Sequence, residues 1–171
     1  MKKQSTISPS GFTLVELLIA TAILGILSGL AIPSFFRQWE DERLNAANKT
    51  LAAWVDDQRK RAIQNSIPCD VTFDLTNAIA SSQCDHEATI GESLDLRSLI
   101  SNSNGINMSM VEGTNLWTFS PRGTTTSAAE LQLTLTGSDD LGRCLRLMAP
   151  LGLLRSGRLN QEGQCDYTTA S

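Results

Sequence analysis

The sequence lacks most of the residue patterns on which enzyme active sites are built. It contains one histidine in 171 residues. This residue, His86, lies between Asp85 and Glu87 in a polar stretch that is typical of a solvated loop. No G-x-S-x-G element, phosphate-binding loop or H-E-x-x-H motif is present. We therefore expect a protein without an active site, a bound metal or a cofactor.

Positive charge is also scarce. Fourteen Lys and Arg residues stand against eighteen Asp and Glu, which gives a formal net charge of −4 at pH 7. Since nucleic-acid-binding domains usually carry a basic patch or stripe, this composition excludes a generally basic binder and leaves room only for a local patch. A second long apolar run is missing as well, which excludes a polytopic membrane protein.

The one long apolar run lies near the N-terminus. No charged residue occurs between Leu17 and Phe36. The wider segment 12–36 would span about 37 Å as a helix, enough to cross a hydrocarbon core of roughly 30 Å. Lys2 and Lys3 precede it, and positive residues favour the cytoplasmic side. The sequence therefore predicts a single span with the remainder of the chain across the membrane.

Two ordinary explanations of this run fit less well. A secretory signal peptide has a shorter apolar core followed by an A-x-A-like cleavage site, whereas Arg37-Gln38-Trp39-Glu40 follows here. An uncleaved anchor fits the length but does not explain Glu16. A charge inside a span costs about 2.5–3.5 kcal/mol at the helix centre and less near its end. Glu16 is therefore a candidate functional residue that requires a partner.

The segment Gly11-Phe12-Thr13-Leu14-Val15-Glu16 resembles the processing site of type IV prepilins, and the apolar run after it is similar to theirs. The resemblance implies that residues 1–11 are a leader peptide. A prepilin peptidase would cleave between Gly11 and Phe12 and N-methylate Phe12. It also implies a precursor in the inner membrane with its head in the periplasm, which associates with other pilins and an inner-membrane assembly platform.

Cleavage at this position creates a charge partner for Glu16. A free α-amino group has a pKa of about 7.7–8.0 and is largely cationic at neutral pH. Our hypothesis is that Glu16 pairs with the Phe12 amine of a neighbouring subunit, which offsets the cost of an isolated charge and favours one axial register.

Small residues and a proline recur along the same helix. Gly25, Gly29 and Pro33 are spaced four residues apart, so they share one face, and Gly25-x-x-x-Gly29 permits close helix approach. Pro33 removes a backbone donor and should bend the helix. In pilins a proline at the matching place accompanies a stretch that loosens on assembly, which implies an assembly role for Pro33.

Beyond Phe36 the helical pattern becomes amphipathic. Leu44, Leu51, Val55 and Ala62 recur at spacings of seven, four and seven. Residues 37–66 are therefore predicted to form a helix with one apolar stripe, and this helix should end near Asn65.

Residues 67–171 are predicted to form a β-rich head. The predicted strands are Cys69–Leu75, Ala78–Gln83, Ile106–Val111, Leu116–Ser120, Glu130–Thr136, Arg143–Met148 and Leu151–Arg155. Gly137-Ser138-Asp139 reads as a turn. The stretch Asp85–Ser103 reads as a polar insertion with a short helix around Leu94–Ile100. The fold class is α+β, with one long N-terminal helix laid against antiparallel sheet.

This half of the chain resembles the FimT/GspH family of minor pilins and pseudopilins. The likeness lies in the segments AANKTLAAWVDDQRKRAIQNSIPCDVTFD, LWTFSPRGTTTSAAELQLTLTG and LLRSGRL. It implies a structural subunit of a type IV pilus or of the type II secretion pseudopilus, acting in assembly initiation or at the tip.

Four cysteines lie in the predicted head: Cys69, Cys84, Cys144 and Cys165. An even number outside the cytoplasm suggests disulfides, and three pairings are possible. Pairing Cys69 with Cys84 and Cys144 with Cys165 is favoured because both loops are then local. A zinc site is the rival interpretation, but no C-x-x-C spacing occurs. Free thiols would be expected only in a reducing compartment.

Four arginines form the candidate local basic patch: Arg143, Arg146, Arg155 and Arg158. In the FimT branch a C-terminal Gly-Arg-x-Arg element is associated with DNA binding in natural transformation. Here the element reads Gly157-Arg158-Leu159-Asn160, so its second arginine is replaced. A pilus-tip DNA receptor is thus the alternative function, and the other interpretation is solvated strand charges or contacts to neighbouring subunits.

Overall fold

The computed structural model describes residues 11–84, 91–99, 105–160 and 162–168, without the side chains of 30–34 and 138–140. The predicted leader before Gly11 and the predicted loop at His86 lie outside these residues. The chain divides into two compact units, Met1–Trp39 and Glu40–Ser171.

One long helix, α1, runs from Leu14 to Asn65. Its start is fixed by Thr13, whose Oγ1 accepts a hydrogen bond from the Glu16 N–H at 3.2 Å. Threonine is a favoured residue at this position because its hydroxyl satisfies a backbone donor that the first turn leaves unpaired.

The end of α1 confirms the predicted boundary at Asn65. Ser66 adopts a left-handed conformation with φ 56°. The Ser66 N–H donates to the Ile63 carbonyl at 3.3 Å, and the Ile67 N–H donates to the Ala62 carbonyl at 3.2 Å. This pair of bonds is the Schellman arrangement, which satisfies carbonyls that the last turn leaves open.

The head contains two antiparallel sheets. One has the strand order β3-β2-β1-β5 and the other the order β4-β6-β7-β8-β9. The strands are β1 Cys69–Asp74, β2 Ile79–Gln83, β3 Glu92–Asp95, β4 Ile106–Glu112, β5 Leu116–Phe119, β6 Ala129–Leu135, β7 Ser138–Met148, β8 Leu153–Leu159 and β9 Cys165–Asp166. The α+β class, a long helix with an antiparallel β head, is confirmed.

Some details differ from the sequence-based expectation. The polar insertion contains strand β3, which pairs with β2, and the helix expected around Leu94–Ile100 is a single 3₁₀ turn at Arg97–Leu99. Besides this pairing, the insertion is attached by Leu96, whose side chain is fully buried in the core. Glu92 adds a contact, because its carboxylate accepts a hydrogen bond from Gln58 on α1 at 3.1 Å. Strand β7 starts at Ser138, inside the predicted turn.

The core lies between the second half of α1 and the sheets. The predicted stripe is confirmed, since Leu44, Leu51, Val55 and Ala62 are all fully buried. They belong to one apolar cluster with side chains of both sheets, including Phe73 and Trp117, whose rings meet edge to face at 4.6 Å.

Exposed side chains dominate the first half of α1. Among the described residues, which leave out side chains 30–34 in the middle of the apolar run, no helix meets the length and hydropathy of a membrane-crossing segment.

Candidate functional site

The predicted processing site lies in exposed chain just before α1. Gly11, Phe12 and Thr13 are exposed and outside the helix, and the Phe12 side chain retains 84% of its accessible surface. The peptide bond between Gly11 and Phe12 is therefore not enclosed by the rest of the described chain. The geometry is open enough for a protease to reach it.

Glu16 is exposed in the first turn of α1. Its backbone N–H is bound by Thr13 Oγ1, which makes Thr13-Leu14-Val15-Glu16 half of a capping box. Sequence reasoning missed the Thr13 cap, although a threonine directly before a helix is the signal for it. This bond uses the backbone of Glu16 and the side chain of Thr13, so it caps the helix without using the Glu16 carboxylate.

The apolar side chains that follow are uncovered. Between Phe12 and Leu27 the large apolar residues retain 53% to 84% of their surface. A Cβ atom added at Gly25 or Gly29 would meet nothing within 4 Å, so these glycines serve no packing within the described chain. At these two glycines no described residue covers the helix. Pro33 lies in the helix, and its assembly role stays a prediction.

Asp41 connects α1 to the second sheet. Its Oδ1 atom lies 2.9 Å from Arg143 Nη2 on β7, and its Oδ2 atom pairs with Arg158 on β8. Arg143 and Arg158 face each other directly across the two strands. Like charges opposite one another repel, so the carboxylate between them compensates both. Nothing in the sequence signals this contact.

The other two arginines point away from this cluster. Successive strand residues alternate between the faces of a sheet, so positions three apart, such as 143 and 146, lie on opposite faces. Arg146 pairs with the buried Glu130 at 2.5 Å, and its guanidinium lies 4.6 Å from the centre of the Tyr167 ring. Arg155 donates to the Tyr167 carbonyl at 3.1 Å. The four candidate arginines therefore form two pairs on opposite faces.

Tyr167 contacts both arginines of the second pair, Arg146 and Arg155. Burial raises the pKa of its hydroxyl well above the usual range, and the nearby Glu130 carboxylate raises it further, whereas Arg146 opposes the shift. In the same environment Glu130 raises the pKa of Arg146 through their hydrogen bond. Glu130, Arg146 and Tyr167 thus form a connected group that the sequence analysis did not identify.

The cysteines are joined in the local pairing. Disulfides connect Cys69 with Cys84 and Cys144 with Cys165, and no cysteine is free. Within the described residues, the group that comes close enough to hold a metal ion consists of Glu130, Cys144 and Cys165. Because its two sulfurs form a disulfide, the group offers no thiolate and is not a metal site.

Comparison with known proteins finds a family that matches the N-terminal segment. Residues 8–32 match the family described as the prokaryotic N-terminal methylation motif. This match includes Gly11, Phe12 and Glu16, the residues from which the prepilin resemblance was inferred. A search of curated proteins finds no significant match.

Solved structures share the fold of about two thirds or more of the chain. The chain is similar to the type IV minor pilin FimU of Pseudomonas aeruginosa, with 15% identity and a TM-score of 0.53 over 73% of this chain and 93% of that one. It is also similar to the minor pseudopilin EpsH of the type 2 secretion system of Vibrio cholerae. Here the identity is 12% and the TM-score 0.50 over 67% of this chain and 95% of that one. The chain is pilin-like in both its N-terminal motif and its fold.

Proposed function

We propose that the chain is a minor pilin or pseudopilin, a structural subunit of a type IV pilus or a type II secretion pseudopilus. Prepilin peptidase cleaves it between Gly11 and Phe12 and methylates Phe12. The observation that carries this proposal is the combination of the methylation motif with an exposed apolar helix that continues into a head with the fold of FimU and EpsH.

Before assembly the precursor is held in the inner membrane by residues 12–36, with the head in the periplasm. The positive leader residues Lys2 and Lys3 support this orientation. The subunit then moves into the fibre with the help of the inner-membrane assembly platform and other pilins. Its place is at the tip or in the initiation of assembly.

Within the fibre, Glu16 pairs with the Phe12 amine of a neighbouring subunit. The exposed position of Glu16 supports this role, because its carboxylate is available to another chain. The uncovered face at Gly25 and Gly29 then allows the helices of two subunits to approach closely. Both contacts use surface that the described chain leaves free.

The alternative function, a DNA receptor at the pilus tip, is less well supported. Phosphate binding requires several cations acting together. Arg143 and Arg158 are compensated by Asp41, and Arg146 is compensated by Glu130. This leaves Arg155 as the candidate arginine without an acidic partner among the described residues.

A tagged chain in its own host tests the proposal. We expect it in the sheared surface-fibre fraction or cross-linked to pseudopilins, and we expect a Gly11→Asp precursor to stay uncleaved in the membrane fraction. In a deletion strain, loss of surface pili identifies the pilus, whereas loss of exported proteins identifies the secretion system. A chain that is never found with pilins or pseudopilins would contradict the proposal.

A further inference from the structure

Three aromatic side chains gather where the apolar run of α1 ends. The ring of Phe35 lies 6.4 Å from that of Phe36 and 6.1 Å from that of Trp39. All three are exposed, with 60%, 64% and 53% of their surface accessible. Arg37 lies between them in the sequence. We call Phe35, Phe36, Arg37 and Trp39 the aromatic collar.

The composition of the collar indicates a polar–apolar boundary. Tryptophan presents a large apolar body with one polar N–H and is enriched where a membrane meets water. Arginine buries its aliphatic stem along apolar surface while its charged end stays in the aqueous layer. A boundary of this kind suits both residue types at once, whereas a uniformly apolar environment suits Phe35 and Phe36 alone.

The length of the helix places the collar at such a boundary. From Leu14 the helix rises about 32 Å to Phe35 and about 38 Å to Trp39. The hydrocarbon core of a bilayer is roughly 30 Å thick, and the headgroup layers extend it to about 40–45 Å in total. When Leu14 lies at one edge of the hydrocarbon core, Phe35 reaches the opposite edge of that core and Trp39 lies in the headgroup layer beyond it.

We propose that the aromatic collar is a lipid-binding surface that anchors the precursor in the outer headgroup layer of the inner membrane. This inference rests on the proposed function, since it requires a membrane-held precursor. The collar sets the depth to which the helix is inserted in the membrane before the subunit is assembled. It must leave the lipid when the subunit enters the fibre.

Trp39 fluorescence tests the proposal in the full-length precursor, reconstituted in vesicles of phosphatidylcholine and phosphatidylglycerol. The vesicles carry brominated acyl chains, with bromine either near the headgroup or near the methyl end. Trp54 and Trp117 contribute background from the head, so a matched Trp39→Phe variant is measured and its signal subtracted. We expect blue-shifted Trp39 emission that is quenched more strongly by bromine near the headgroup.

Three outcomes would overturn the proposal. These are a Trp39 signal that bromine does not quench, quenching that is strongest from the methyl end, and a precursor that does not associate with vesicles. Cleavage and fibre incorporation of the unmodified chain are measured in parallel. A chain that enters fibres although Trp39 is not quenched contradicts the collar alone, whereas a chain that is neither cleaved nor incorporated contradicts the proposed function.

Discussion

Asp41 Oδ1 on α1 lies 2.9 Å from Arg143 Nη2 on β7, and this ion pair is nearly closed off from water. The side chains retain 18% and 8% of their surface, respectively. Removing one partner of such a pair leaves the other charge buried without compensation, which is costly. The contact therefore holds the helix to the sheet and constrains the start of the globular unit.

Asp41→Asn should lower the free energy of unfolding by about 3 kcal/mol, because it leaves the buried Arg143 charge without its acidic partner. Arg158→Gln is the matched control. Its side chain is 57% exposed, so its loss should cost less than about 1 kcal/mol. Urea unfolding of residues 40–171 followed by circular dichroism measures both values. Equal losses for the two variants would mean that the buried pair has no special role.

The alkaline titration of Tyr167 offers a direct check on the group around Glu130. Tyr167 is the sole tyrosine in the chain, so tyrosinate absorbance reports this residue alone. Its folded-state pKa is raised. The stability that this shift contributes is therefore fully present below the unfolded pKa of about 10 and is lost as the pH rises above it.

We expect the native protein to show no tyrosinate at pH values where the urea-unfolded chain is already half ionised. Ionisation in native buffer should instead coincide with alkaline unfolding, followed by circular dichroism on the same samples. A native titration midpoint equal to that of the unfolded chain would show that Tyr167 is not shielded by burial and Glu130.

Substitutions at Glu16 separate charge pairing from helix capping. Glu16→Val and Glu16→Gln should both be cleaved normally, and both should fail to enter fibres because the negative charge is lost. Glutamine can still serve at the third position of a capping box, so a purely local role would leave this variant competent. Immunoblots of membrane and sheared-fibre fractions measure the outcome. Normal incorporation of Glu16→Gln would refute the pairing with Phe12.

The arrangement of the arginines predicts weak DNA binding at most. A gel-shift titration of residues 40–171 with duplex DNA should show no retention at physiological salt, because the four arginines point to opposite faces and three are compensated by acids. The double variant Arg155→Ala with Arg158→Ala should behave in the same way. Salt-dependent binding that this double variant abolishes would support the DNA receptor instead.

The sequence predicted those parts of the fold that local periodicity encodes. The apolar stripe from Leu44 to Ala62 and the helix end at Asn65 follow from helical spacing and a nearby proline. Strand β3 escaped prediction because Glu92–Asp95 has no apolar alternation and its pairing with β2 depends on the tertiary fold. Strand β9 has two residues and is too short for any pattern.

The candidate site was predictable only where its residues are close in sequence. The methylation motif is contiguous, and so is the capping box from Thr13 to Glu16, which the spacing alone could have revealed. The contact of Asp41 with Arg158 joins residues 117 positions apart, so it depends on the tertiary fold. The basic patch was inferred from proximity in sequence, but strand alternation distributes its members over two faces.

Processing between Gly11 and Phe12 is tested by the mass of the N-terminal peptide of the native protein, purified from its own host. We expect the chain to begin at Phe12 and to carry one added methyl group on its amine. A native chain that begins at Met1, or that starts beyond Phe36 and so has lost the apolar helix, would contradict this expectation.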